Sequence, residues 1–239
     1  MTIWGLIIGG LAGFAIGGPI GGLLGAAAGH IAERQIRPDP NPEQTKQVAF
    51  TVAVIALSAK MAKIDGHVSR LEIAAFRKKV HIPADDVERV GKFWDLARQT
   101  PDGFESYARQ TVTLFGKKAP ILEQLLELLF FIARADGAIT EPEIAYLQIV
   151  TEIFGYDETE FHRFVSLYGK EGANPYQVLG LADTATDTEI RDRWKMLIKS
   201  HHPDKLIADG MPDEFVAAAT ERLAVINEAY NTLTGVKQV

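Results

Sequence analysis

No charged residue occurs in the first 32 positions, and that stretch constrains the chain more than any other. All of its 25 Lys+Arg and 31 Asp+Glu lie further on, so a mean hydropathy of +0.02 averages two unlike materials. Residues 3–29 read IWGLIIGGLAGFAIGGPIGGLLGAAAG, with Gly5, Gly9, Gly13, Gly17, Gly21, Gly25 and Gly29 at a strict spacing of four. That spacing keeps the glycines near one face of a helix. A bare glycine ridge lets two helices approach backbone to backbone in lipid. A helix through 3–29 would be about 40 Å long at 1.5 Å per residue. This exceeds a hydrocarbon core of about 30 Å, so the helix would span with tilt. Pro19 would kink it, which a membrane helix tolerates.

Other readings of this stretch fit less well. A flexible linker would be polar and serine-rich. A secretory signal would carry a basic residue ahead of the apolar run, and none is there. A re-entrant hairpin turning at Gly17-Gly18-Pro19 would leave each arm too short to span. The expectation is therefore a single transmembrane helix over 1–32, in contact with membrane lipid and self-associating as a homodimer through the glycine ridge. Arg34 and Arg37 follow it and no cation precedes it, which places the rest of the chain in the cytoplasm. Pro38, Pro40 and Pro42 then make 33–45 a short, stiff spacer.

Composition removes several function classes. A net charge of −6 argues against a general nucleic-acid binder, which needs a basic surface. With no cysteine, disulfide scaffolds, thiolate zinc sites and cysteine nucleophiles are excluded. The N-terminal glycines lack the G-K-[ST] ending of a phosphate loop. No cofactor is implied, and nothing marks the chain as an enzyme.

Residues 46–168 show helical periodicity and almost no strand pattern, predicting helices near 43–63, 70–80, 84–99, 102–115, 119–134, 141–154 and 157–168. Asp102, Thr140 and Asp157 read as N-caps. An internal repeat lies within. LSAKMAKIDGHVSRLEIAAF, 57–76, aligns with LLFFIARADGAITEPEIAYL, 128–147. Asp65-Gly66 then matches Asp136-Gly137, Val68 matches Ile139, Ser69 matches Thr140 and Glu72 matches Glu143. In each copy the glycine would end a helix in the left-handed region. The Ser or Thr would cap the next helix, with the Glu closing a capping box. Asp65, Glu72, Asp136 and Glu143 are also the weak candidates for a metal site. A calcium loop needs oxygen ligands at alternating positions, and position 67 is His while its counterpart Ala138 has no ligand atom. Structural capping is the better reading. The pattern D-G-x-[VI]-[ST]-x-x-E between helices resembles the tellurite-resistance TerB-like domain, some members of which are proposed to bind metal.

After a linker at 169–173, residues 174–239 carry the most specific signal. A helix near 187–200 has the apolar stripe Ile190, Trp194, Leu197 and Ile198. A second face carries Arg191, Lys195 and Lys199 at spacings of four, either a solvated face or a dock for an acidic partner. A helix near 213–233 has the stripe Phe215, Ala219, Leu223, Ile226, Tyr230 and Leu233, and should pack antiparallel to the first as a helical hairpin. Between them lies His201-His202-Pro203-Asp204-Lys205. Adjacent histidines without cysteine make a poor zinc site.

His-Pro-Asp at the tip of a helical hairpin, behind a basic helix face, resembles the J-domain. The likeness extends through Pro175-Tyr176, Val178-Leu179-Gly180, Glu189-Ile190, Phe215 and Asn227-x-x-Tyr230. With the TerB-like region and the apolar N-terminus, the whole chain resembles the DjlA type of membrane-anchored DnaJ-like co-chaperone. The resemblance implies an all-α protein in the bacterial inner membrane, single-pass, that recruits a cytoplasmic Hsp70 of the DnaK type and stimulates its ATP hydrolysis. It assigns His202, Pro203 and Asp204 to stimulation, and Arg191, Arg193, Lys195, Lys199 and Lys205 to docking. Where the family often has Tyr-Arg, this chain has Trp194-Lys195, which keeps aromatic and charge without the guanidinium fork. The glycine/phenylalanine-rich and zinc-ribbon modules of general J-proteins are absent from the sequence. The alternative is a metal- or stress-responsive TerB-like membrane scaffold with the J-domain as a docking module.

The glycine ridge makes one prediction directly. Gly13→Leu with Gly17→Leu should abolish dimerisation in a membrane self-association assay; an unchanged dimer signal would remove the ridge as its cause.

Overall fold

The sequence around Val48–Ala62 leaves a helix no polar face to turn toward water, so it has to be wrapped on all sides. In the computed structural model, which describes residues 3, 18–21, 42–64, 69–99, 102–168 and 174–235, this helix is α1, Pro42–Met61. Its residues from Val48 to Met61 are all buried. Thr51 satisfies its hydroxyl on the Gln47 carbonyl at 2.9 Å, and Lys60 sends its ammonium out to the Asp102 carbonyl at 2.8 Å. Pro42, expected in the spacer, instead opens the helix, where its missing N–H costs nothing.

Around α1 pack α2 (Arg70–Lys79), α3 (Val87–Ala97), α4 (Phe104–Phe115), α5 (Pro120–Ala133), α6 (Glu141–Ile153) and α7 (Glu158–Tyr168). The fold is all-α, with no strand among the described residues. α1 contacts α3, α4 and α5; α5 in turn contacts α2, α6 and α7. α5 is nearly as apolar as α1, with Ile121, Leu122, Leu125, Leu126, Leu129, Phe130 and Ile132 all buried. The expected helix at 84–99 begins with a 3-10 turn, Ala84–Asp86. The expected cap at Asp102 gives way to Gly103, whose φ of +76 starts α4 without a side-chain bond.

The repeat reproduces its local chemistry. Ser69 N–H donates to Glu72 Oε2 at 2.7 Å and Glu72 N–H donates to Ser69 Oγ at 3.0 Å. Thr140 N–H donates to Glu143 Oε2 at 2.8 Å. Asp157 makes the same exchange with Glu160, at 2.9 Å each way. Gly137 stands at φ +140, a region open essentially to glycine, though not the left-handed helical conformation expected of it. Gly66 lies outside the described residues.

The C-terminal part adds α8 (Pro175–Leu179), α9 (Asp187–Ser200), α10 (Pro203–Ala208) and α11 (Val216–Thr234). α11 packs along α8 and α9, closing a small cluster of Val178, Leu179, Ile190, Leu197, Ile226 and Ala229. Of the N-terminal glycines, Gly5, Gly9, Gly13, Gly17, Gly25 and Gly29 lie outside the described residues; Gly21 is buried. Gly18 stands at φ +59, and the Ile20 N–H donates to Gln110 Oε1 at 2.9 Å. Ile3 and Ile20 share the buried cluster of the helical body. The helix expected over 3–29, with its kink at Pro19, lies for the most part outside the described residues. Among the described residues, no helix is long and apolar enough to cross a membrane.

The capping glutamate of the first repeat is strained electrostatically. Burial, and less strongly Glu143 and Asp136, push the Glu72 carboxyl up to about 7 against the hydrogen bonds from Ser69. The unfolded carboxyl titrates near 4.5, so between the two values the folded chain binds more protons. Its contribution therefore favours folding below pH 4.5 and is lost as pH rises through 7. Glu72→Gln keeps an acceptor for Ser69 and removes the titration. Its unfolding midpoint should fall less between about pH 5 and pH 8 than that of the unmodified chain; equal falls would show that Glu72 is not the group responsible.

Candidate functional site

At the end of α9 two adjacent histidines part company. His201 is 2% exposed and turns into the protein, while the His202 side chain is 48% exposed. His202 is not a loop residue, as its place between two long helices suggested, but the N-cap of α10. Its Nδ1 accepts the Asp204 N–H at 3.2 Å. Pro203 occupies the first helical position, where its fixed φ suits the helix and no donor is lost. The Asp204 carboxylate is 88% exposed, with Oδ2 3.7 Å from His202 Nδ1. Lys205 is exposed and pairs with Asp209 one turn on, at 2.6 Å.

The turn is held from behind. Leu206, on the inner face of α10, is fully buried, and Met211 and Phe215 follow it into the core. α9 is fixed at its start by a Thr186–Glu189 capping box. Trp194 stacks on Tyr230 with ring centroids 4.3 Å apart, and its indole N–H donates to Asn227 Oδ1 at 2.9 Å. The matched Asn227 and Tyr230 therefore serve one purpose, fixing α9 against α11. A shallow open groove gathers Trp194, Lys195, Lys199, His202, Asp204 and Lys205.

Arg191, Lys195 and Lys199 are all exposed along α9. Arg193 does not join them. It is half-buried, its Nε donates to the Leu179 carbonyl at 2.8 Å, and Nη1 lies 3.4 Å from Met196 Sδ. Arg193 thus ties α9 to the end of α8, apart from the exposed row.

A buried charge cluster behind this face was not legible as a site. Arg222 of α11 is 1% exposed, and its Nη2 donates to Glu123 Oε1 of α5 at 3.1 Å. Its Nε lies 3.7 Å from Glu127 Oε2, and its guanidinium sits 5.5 Å from the Tyr168 ring centre. His201 Nε2 lies 3.6 Å from Glu123 Oε2. Burial pushes the Glu123 carboxyl up, but the cations around it, Arg222 foremost, hold it below the ordinary value. Burial pushes His201 down to about 4, against the pull of Glu123. At neutral pH His201 is thus uncharged, and the arginines alone hold Glu123 ionised. Burial raises Glu127, opposed by Arg222 and Lys79.

Of the weak metal candidates, Glu72 and Glu143 are buried in their capping boxes, Asp136 is exposed, and Asp65 lies outside the described residues. Among the described residues no group of three or more His, Asp or Glu side chains could hold a metal ion.

Comparison with known families finds three successive matches along the chain. The family described as co-chaperone DjlA transmembrane domain matches residues 1–47, tellurite resistance protein TerB matches 51–165, and the DnaJ domain matches 174–238. A co-chaperone protein DjlA from Photobacterium profundum is 26% identical, covering 97% of this chain and 98% of the relative. One from Coxiella burnetii is 27% identical, covering 98% of each. One from Salmonella typhimurium is 24% identical, covering 98% of this chain and 97% of the relative. No solved structure matches the chain. The three matches stand in DjlA order and the relatives align almost end to end, so the chain belongs to the DjlA type of membrane-anchored, DnaJ-like J-domain co-chaperones.

Proposed function

We propose that the chain recruits a DnaK-type Hsp70 to the bacterial inner membrane and stimulates its ATP hydrolysis through His202, Pro203 and Asp204. Its uncharged N-terminal segment holds it there, with the J-domain and bundle in the cytoplasm. The observation that carries the reading is the exposure of the motif: Asp204 and His202 face solvent beside the exposed cations of α9, while the residues just behind them are buried.

The chemistry follows from that geometry. The exposed Asp204 carboxylate offers two acceptors to an arginine of the partner, a charge-assisted and possible bidentate contact. Pro203 and the His202 cap hold that carboxylate at a fixed point of a helix start. Because His202 Nδ1 is taken by the Asp204 N–H, Nε2 is the ring atom left for a partner. Arg191, Lys195, Lys199 and Lys205 supply a positive field that steers an acidic surface toward the motif. The bundle's repeat is then a structural unit, and the chain acts as a regulator of its partner's catalysis.

Single-turnover ATP hydrolysis by the Hsp70, with the full chain in detergent, tests this. The unmodified chain should accelerate hydrolysis and His202→Gln should not. Asp204→Asn should weaken the complex by about 2 kcal/mol or more, roughly 30-fold, as expected for truncating one partner of a desolvated charge pair. Lys195→Ala with Lys199→Ala should chiefly slow association and flatten its salt dependence. No acceleration by the unmodified chain would overturn the reading and move the search to the bundle.

A further inference from the structure

The J-domain rests on the bundle through a surface that neither the His-Pro-Asp motif nor the exposed cations of α9 use. Leu206, Met211, Phe215 and Ala219 belong to the bundle's buried cluster, separate from the small cluster inside the hairpin. Phe215 meets Phe50 of α1 edge-on, with ring centroids 5.2 Å apart. The His81 N–H donates to the Glu214 carbonyl at 3.2 Å, and Lys79 pairs with Glu221 at the rim. At the centre stand Arg222 and His201, against Glu123 and Glu127.

A buried guanidinium is costly wherever it is not paired, so it discriminates between ways of docking two surfaces. Any rotation of the J-domain that kept the apolar contact but moved Arg222 off Glu123 would leave two uncompensated buried charges. The apolar contacts hold the two parts together; the charges select one orientation. His201 and His202 mark the boundary, since one residue faces this contact and the next faces outward.

We propose that the TerB-like bundle is the seat of its own J-domain: Glu123 and Glu127 latch Arg222, with His201 packed beside Glu123, and present the His-Pro-Asp motif from one fixed position on a membrane-anchored body. The bundle thereby sets where and in what orientation a recruited partner meets the membrane. Arg222 and Glu123 are positioning residues. The proposal holds whatever partner the motif engages, because the seat can be measured with no partner present.

The chain has no cysteine, so spin labels can be placed cleanly. Glu152→Cys on α6 and Glu228→Cys on α11 are both exposed and stand on the two sides of the contact. Pulsed electron resonance on the doubly labelled full chain, in lipid nanodiscs, should give one narrow distance distribution. Glu123→Lys should abolish the narrow component while helicity by circular dichroism is retained. Lys79→Glu, at the rim, should broaden the distribution, and adding Glu221→Lys should narrow it again. A merely structural role for the rim pair would not show that rescue. A broad distribution in the unmodified sequence overturns the proposal, as does a narrow one that survives both Glu123→Lys and Lys79→Glu.

Discussion

Everything in this fold is arranged around a helix that cannot face water. α1 is buried from Val48 to Met61 on every side, and its cover comes from α3, α4 and α5 and from a residue of the J-domain, Phe215. At about 25 cal/mol per Å² of apolar surface removed from water, such a helix strongly favours whatever covers it completely. A bundle of six helices with a repeat at its centre supplies most of the cover. The J-domain supplies more, so its attachment is part of the hydrophobic core and not an accident of a short linker.

Burial on that scale has an electrostatic consequence. The seam between bundle and J-domain carries Glu123, Glu127 and Arg222, which tolerate burial only by pairing. Arg222, held above its already high ordinary value, keeps its charge there. Glu72 shows the other outcome. Its neighbours Glu143 and Asp136 are acidic, so burial wins and the carboxyl shifts toward neutrality. Glu72 and Glu123 thus sit on opposite sides of the ordinary range, and Glu127, where burial outweighs Arg222 and Lys79, sits with Glu72.

Much of this was legible in the residues. Ser69 with Glu72, Thr140 with Glu143 and Asp157 with Glu160 are capping interactions within four residues, so local sequence suffices to find them. The motif His202-Pro203-Asp204 and the apolar stripes of α9 and α11 are likewise local patterns. The helix at Pro203–Ala208 escaped because a histidine N-cap is unusual and the helix is only six residues long. Arg193 stands two residues from Arg191 and from Lys195, off their face of the helix, and a carbonyl at the end of α8 draws it inward. Arg222 did leave a signal. It lies three residues after Ala219 and four before Ile226, on the buried stripe of α11, just as Glu123 and Glu127 interrupt the apolar run of α5.

The sequence by itself determined the long helices, the capping boxes of the repeat and the motif at the hairpin tip, because each depends on contacts within a turn or two of chain. Only the tertiary structure decided which of two neighbouring histidines is offered to solvent, and which arginine of α9 is withheld. It also decided that a bundle helix and the last helix of the J-domain share buried charges 99 residues apart in sequence. Burial and charge pairing act through space. No spacing along the chain carries them until packing has chosen what lies on the other side.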